Sequence, residues 1–222
     1  MEKSAMLDAI EICSGASPEA SVIWLHGLGA DGGDFAPMAE ELALPMVVRF
    51  IFPHAPGMPV TVNNGWVMPA WYDIYSLDIA GAQDETGIRA SQAGIEALIA
   101  REKTRGVDSA HIVLAGFSQG GAVALQTALR HKDRLGGVVA LSTYLPLHDS
   151  LQAESSEANR TLPIFMAHGR DDTVIPLEAA RKSRRRLEAE GYPVEWHEYP
   201  MPHSVCGAEV DDIREFLLRI LS

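Results

Sequence analysis

The chain has 222 residues, 47% of them hydrophobic and 22% charged, enough apolar material for one substantial core and too little polar bias for a disordered chain. Its 18 Lys and Arg against 30 Asp and Glu give a formal net charge of −12, which opposes binding to nucleic-acid phosphates and to anionic membranes. The two cysteines, Cys13 and Cys206, are too few for a disulfide-dense secreted scaffold. The composition therefore predicts a single domain over residues 1–222. A cytoplasmic location is expected, because MEKSAMLDAIEICSG contains no signal-peptide hydrophobic region and no later run reaches the roughly 20 apolar residues of a membrane span.

In chain order, residues 7–13 read as an edge strand and VIWL at 22–25 as a buried one. The loop HGLGADGG follows, with glycines at 27, 29, 32 and 33. It lacks both the G-K-[ST] ending and the G-x-G-x-x-G context of phosphate and dinucleotide loops, so nucleotide binding is disfavoured. VVRFIF at 47–52 is the next apolar run, and VNNGWVMPAWYDIYSL reads as an irregular segment rich in large side chains. Trp66, Met68, Trp71, Tyr72 and Tyr75 in it can line an acyl groove, pack the loop over the sheet or bury a subunit interface, so a homodimer stays open. Residues 86–103 place Ile88, Gln92, Ile95 and Ile99 at helical intervals.

HIVLAGF at 111–117 is a further strand, and a mostly buried helix follows from Gly120. GVVAL at 137–141 and PIFMAH at 163–168 complete the central strands, whose continuous apolar character suits a parallel sheet covered on both faces. RKSRRR at 181–186 lies among acidic residues and reads as an exposed helical face. VEWHEY at 194–199 is a shorter strand, and Val210, Ile213, Phe216, Leu217, Ile220 and Leu221 form a final helical stripe. The alternation predicts a mostly parallel central sheet flanked by helices.

The chemistry lies between these elements. GFSQGG puts Ser118 between Gly116 and Gly120, after a strand and before a helix, the context in which G-x-S-x-G exposes a nucleophile on a tight turn. A serine is a weak nucleophile without a base. His203 in YPMPHS, between the last strand and the last helix, is the candidate base. HGRDDTVIP offers two acids to orient it, Asp171 and Asp172, which spacing alone separates poorly. The order Ser, Asp, His along the chain is that of an α/β-hydrolase. The backbone N–H groups of Leu28 and Gln119 are candidate oxyanion donors, and His26 is read as shaping the glycine loop.

VIWLHGLGADGGDF, VNNGWVMPAWYDI, GFSQGGAVAL, HGRDDTVIP and YPMPHS, spread over residues 22–204, together resemble the small α/β-hydrolase family of carboxylesterases, acyl-protein thioesterases and lysophospholipases. The resemblance implies a serine acyl-enzyme with Ser118 as nucleophile, Asp172 as acid, His203 as base and Leu28 and Gln119 as oxyanion donors. It also implies an acyl-site wall around Trp66, Met68, Trp71 and Tyr72. Thr173 stands where the family commonly has proline, and Asn64 departs from its usual glycine-rich NGG form. The sequence-based expectation is a carboxylesterase acting on short to medium acyl esters, with acyl-protein thioesterase or lysophospholipase as the alternative substrate class. Peptidase and binding-only roles are weaker, since no peptide-specificity pocket is legible and the triad candidates are intact. No cofactor or metal is expected, because no His, Cys, Asp and Glu cluster has ligand spacing.

Overall fold

The computed structural model of the protein describes residues 6–76 and 81–222. Residues 1–5 of the N-terminal stretch and Leu77 at the end of the aromatic segment lie outside them. In chain order the elements are β1 (Ala9–Cys13), β2 (Ala20–Leu25), α1 (Met38–Glu41), β3 (Val48–Pro53), β4 (Gly57–Val60), β5 (Trp66–Pro69), α2 (Glu85–Thr104), β6 (Ile112–Phe117), α3 (Gln119–Arg130), β7 (Gly137–Leu141), α4 (Leu151–Glu154), β8 (Ile164–Gly169), α5 (Leu177–Ala189), β9 (Val194–Tyr199) and α6 (Gly207–Leu221).

Seven strands form one sheet in the order β1-β3-β2-β6-β7-β8-β9. Every pairing is parallel except that of β1 with β3, which is antiparallel at the edge. This is the expected α/β-hydrolase arrangement. Side chains alternate across the central strands: Ile23, Leu25, Ile112 and Leu114 face the layer containing α2 and α3, while Val22, Trp24, Val113 and Ala115 face the layer containing α1 and α6. The period-2 pleat thus serves two apolar layers at once, which is why these strands read as unbroken hydrophobic runs. Trp24 is fully buried, a contribution of about 1.5–3 kcal/mol if it compares with other large apolar side chains.

Helix α3 runs directly out of β6 and is buried from Gln119 to Leu129, with α2 packed over it. The basic run at 181–186 lies on α5, whose inner face is Ala180, Ser183 and Leu187. Its arginines are paired with carboxylates: Arg181 with Glu198 at 2.9 Å, Arg184 with Glu188 at 2.8 Å, Arg186 with Glu190 at 2.9 Å, and Arg185 with Glu178.

One departure from the sequence reading is the segment expected to be irregular. Its stretch Trp66–Pro69 pairs with the preceding Gly57–Val60 as a hairpin, Val60 opposite Trp66 and Gly57 opposite Pro69. The connection is a 3-10 turn, Thr61–Asn63, closed by Asn64 and Gly65, both at positive φ (58° and 76°), a conformation that Asn and Gly tolerate best. Two prolines and four-residue strands had hidden the alternation. Among the described residues no helix is long and apolar enough to cross a membrane.

Glu209, in the first turn of α6, is wholly buried, and no side-chain partner reaches its carboxyl oxygens. Burial, with the nearby Asp212 as a smaller contributor, raises its pKa from 4.5 to about 8, opposed only in part by the Cys206 backbone amide. The folded state therefore holds a proton that the unfolded state releases above its own pKa, so stability falls as pH rises from about 4.5 to about 8, by at most about 1.4 kcal/mol per pH unit. Urea denaturation of Glu209→Gln is expected to match the parent protein near pH 5 and to show a clear gain in stability at pH 8.5. Equal stabilities at both pH values would count against a buried neutral carboxyl.

Candidate active site

The site is assembled where β2, β6, β8 and β9 end, all at the carboxyl edge of the sheet. Leu25 of β2 pairs with Gly116 of β6, and Gly169 of β8 with Tyr199 of β9, so four loops leave the sheet side by side. This is the edge at which open α/β sheets bind ligands.

Ser118 occupies the junction of β6 and α3 with φ 55° and ψ −121°, a conformation that costs a side-chain-bearing residue about 1–3 kcal/mol. Hydrogen bonds hold it there. Its N–H donates to Leu141 (2.8 Å), and its carbonyl accepts from the Ala122 amide (3.1 Å) and the Thr143 hydroxyl (2.7 Å). The turn is possible only because strand and helix approach backbone to backbone. A Cβ on Gly116 would lie 2.4 Å from the Gly120 carbonyl, and a Cβ on Gly120 would lie 2.4 Å from the Leu25 carbonyl oxygen.

His203, in the loop between β9 and α6, meets Ser118 from the opposite side. Its Nε2 is 3.0 Å from Ser118 Oγ, and its Nδ1 is 2.7 Å from Asp172 Oδ2. With the proton on Nδ1, the ring donates to Asp172 and accepts from Ser118. Phe117 packs against the imidazole with ring centroids 4.7 Å apart. Asp172 is buried while Asp171 is exposed. The other carboxylate oxygen of Asp172, Oδ1, accepts from the Val174 and Ile175 amides at 2.8 and 2.9 Å. These two bonds lock the carboxylate and leave Oδ2 aimed at His203, so of the adjacent aspartates Asp172 is the one at hydrogen-bond distance from the imidazole.

The histidine of HGRDD, His168, went unassigned in the sequence reading and is a further contact on this acid. Its Nε2 lies 2.8 Å from the Ile175 carbonyl and 3.3 Å from Asp172 Oδ2. Burial holds its pKa below the ordinary imidazole value, so it braces the loop as a neutral donor rather than as a cation. His26 is also buried with a lowered pKa, chiefly through desolvation. Its Nδ1–H reaches the Gly27 carbonyl (2.7 Å), while Nε2 accepts from the Ala55 amide (3.0 Å). It shapes the glycine loop, as expected, and is occupied at both nitrogens.

Leu28 and Gln119 line the same cavity as Ser118 and His203. Neither backbone N–H has a hydrogen-bond partner among the described residues; that of Gln119 is free because it opens a helix. The side chain of Gln119 is fully engaged, accepting from Trp71 N–H (2.8 Å) and donating to the Tyr72 carbonyl (2.6 Å).

The five aromatic-segment residues divide. Tyr72 and Tyr75 line the cavity. Trp66 is 73% exposed on the hairpin, and Trp71 is 2% exposed in the core, its indole N–H donating to the His26 carbonyl at 2.8 Å. Met68 lies beside Gly29, whose N–H donates to the Pro69 carbonyl at 2.8 Å. Trp66, Met68 and Trp71 are thus absent from the cavity wall, and the last two brace the glycine loop instead. The cavity, about 560 Å³, draws its apolar wall from residues scattered along the chain, Phe35, Ile74, Phe117, Val174 and Val205 among them. No local pattern marks these residues, because they share only a position at the carboxyl edge. Among the described residues, no group of three or more His, Cys, Asp or Glu is placed to hold a metal ion.

The family model described as phospholipase/carboxylesterase matches residues 7–221. A Mycosarcoma maydis protein named acyl-protein thioesterase 1 is 39% identical, with 94% of each chain covered. A Yarrowia lipolytica protein of the same name is 40% identical over 94% of this chain and 95% of its own. The crystal structure of Arabidopsis thaliana SOBER1 superposes with a TM-score of 0.87 at 30% identity, covering 91% of this chain and 99% of that one.

The packing at the turn generates a stability test. Gly120→Ala must push Leu25 or the start of α3 aside, and a loss on the order of 2 kcal/mol or more is expected in denaturant melts. A loss within about 0.5 kcal/mol, the range of ordinary surface substitutions, would mean that the close approach is not a constraint.

Proposed function

We propose that this chain, which belongs to the phospholipase/carboxylesterase family, cleaves acyl thioesters of modified proteins through a serine acyl-enzyme, with small acyl esters as second substrates. Hydrolysis of acyl or lipid substrates is common ground for the family. The serine acyl-enzyme route, common to thioester and ester, is supported above all by one observation, the alignment of Ser118, His203 and Asp172 beside two unpartnered amides at a largely apolar cavity. The thioester is placed ahead of the ester, reversing the sequence-based order, because relatives matched over nearly their whole length bear the name acyl-protein thioesterase. Ester hydrolysis keeps its place through the same chemistry, and a lysophospholipid fits the same description of one acyl chain on a polar leaving group.

In the proposed cycle His203 Nε2 takes the Ser118 proton as Oγ attacks the acyl carbonyl. The negative charge that develops on the carbonyl oxygen is met by the Leu28 and Gln119 amides, a stabilisation greater in the transition state than in the ground state. Asp172 holds the ring in the tautomer that leaves Nε2 free to accept, and it offsets the positive charge the ring acquires. The His203 proton then passes to the departing sulfur or oxygen. Water enters, His203 removes a proton from it as its oxygen attacks the acyl carbonyl, and on collapse the bond to Oγ breaks, His203 returns the proton to Ser118 Oγ, and the acyl group leaves as the acid, which ionises to carboxylate.

Ser118→Ala is expected to fold and to form no covalent adduct, neither the phosphonyl-enzyme from an active-site phosphonate nor the acyl-enzyme from a chromogenic ester, as read by intact mass. A folded variant that still acquires the acyl adduct would remove Ser118 from the role. Asp172→Asn should cut turnover by about 10⁴-fold, the loss seen when a serine protease triad loses its carboxylate. Asp171→Asn, at an exposed position, should leave it within a few-fold, and the opposite ranking would reassign the acid.

Matched thioesters and esters of increasing acyl length, assayed below their aggregation limits, test the substrate class. A rise in kcat/KM with chain length is expected until the cavity is filled, with each buried methylene worth up to about 0.8 kcal/mol. A higher kcat/KM for the thioester at every matched length supports the leading reading. Uniform preference for the oxygen ester would restore the carboxylesterase.

A further inference from the structure

The cavity wall is mostly apolar, and among its polar groups that the proposed cycle does not use is a pair of facing tyrosines. The hydroxyls of Tyr72 and Tyr144 face each other at 2.9 Å, and both residues line the cavity. Both backbones are tied to the turn that carries Ser118. The Tyr72 carbonyl accepts from the Gln119 side chain (2.6 Å), and Thr143, next to Tyr144, donates its hydroxyl to the Ser118 carbonyl (2.7 Å). The pair is therefore held in a fixed relation to the nucleophile.

Two hydroxyls facing each other use one hydrogen between them and leave the other O–H without a protein acceptor. No further partner is present among the described residues. Tyr72 is 2% exposed, whereas Tyr144 is only part-buried, and burial raises the pKa of both phenols, so both stay protonated at neutral pH. The lower-energy arrangement has the enclosed Tyr72 donating to Tyr144, because an unsatisfied donor costs least where it faces the open cavity. A plain alkyl chain filling the cavity would displace solvent from that donor and offer nothing in return. A chain with an oxygen at the right depth would satisfy it.

We propose that the Tyr72–Tyr144 pair is a specificity element that selects acyl groups bearing an oxygen atom, as an ether, hydroxyl or keto group, at one position along the chain. This rests on the acyl-hydrolase reading above and names a substrate class for it. An apolar pocket discriminates weakly between chains of equal size, whereas a site with a donor to satisfy discriminates against the chain that lacks the acceptor.

The test is an oxygen scan. 4-Nitrophenyl esters of one chain length are prepared with a single ether oxygen replacing each methylene in turn, and kcat/KM is measured for each. At most positions the oxygen should lower kcat/KM several-fold, since it forfeits the burial of a methylene. At one position, or two adjacent ones, it should instead exceed the other oxygen positions by roughly ten-fold, the factor that corresponds to one net hydrogen bond of about 1.4 kcal/mol, and so rise above the plain chain. In the doubly substituted Tyr72→Phe, Tyr144→Phe protein that peak should be lost, the ratio of kcat/KM for the chain with oxygen at that position to kcat/KM for the plain chain falling below one. A parent protein that hydrolyses plain esters but shows a monotonic penalty across the scan overturns the proposal and leaves the acyl-hydrolase reading standing. A peak that survives in the double variant assigns the selectivity to another group and also overturns it. Failure of the parent to turn over any ester or thioester overturns both.

Discussion

The close approach of backbone at the β6–α3 junction is the constraint on which the site depends. Gly116, Gly120 and the carbonyl of Leu25 meet with no room for a Cβ, and this contact sets the direction in which α3 leaves the sheet. Ser118 is then forced to positive φ, its Oγ is brought within 3.0 Å of His203, and the Gln119 amide is left unused at the helix start. The strain of one residue is balanced by three hydrogen bonds and by a helix buried along nearly its whole length. A nucleophile placed on a flexible loop would cost less to fold but would have to be ordered in each catalytic cycle.

Around that junction, fixed dipoles and neutral rings do most of the positioning. Asp172 is held by two backbone amides on one oxygen and by His203 on the other, with neutral His168 against it. His26 spans the glycine loop through both ring nitrogens and is likewise discharged by burial. Keeping these two histidines neutral leaves His203 as the ring that gains charge in the proposed cycle, with Asp172 at hydrogen-bond distance to receive it. Gln119 links the two halves of the arrangement, since its side chain clamps the Trp71–Tyr72 segment while its amide faces the cavity.

The aromatic segment illustrates how one stretch of chain can serve three purposes. Trp71 is a core residue that hydrogen-bonds to the glycine loop, Met68 and Pro69 support that loop from the hairpin, and Tyr72 and Tyr75 turn toward the cavity. The cavity itself is closed by Phe35, Val174 and Val205, which follow three different strands. The lining of the cavity is therefore a product of packing among loops and not of a contiguous motif.

The fold class was legible in the sequence, and so was the turn that carries Ser118. Unbroken apolar runs specify strands covered on both faces, and G-x-S-x-G between a strand and a helix leaves few ways to build the turn. The edge strand at 7–13 and the long helices were legible because their periodicity is local. Tertiary structure buries Asp172 against His203 and leaves Asp171 exposed, a difference that the spacing of two adjacent residues on a turn does not carry. It decided equally that Trp66 faces solvent while Trp71 is enclosed, that His168 reaches the acid, and that Tyr144 meets Tyr72 across 72 residues of chain. Local patterns record the period of a strand or helix and the chemistry of a turn; contacts between loops depend on the order and twist of the strands that carry them, information that no single stretch of sequence contains.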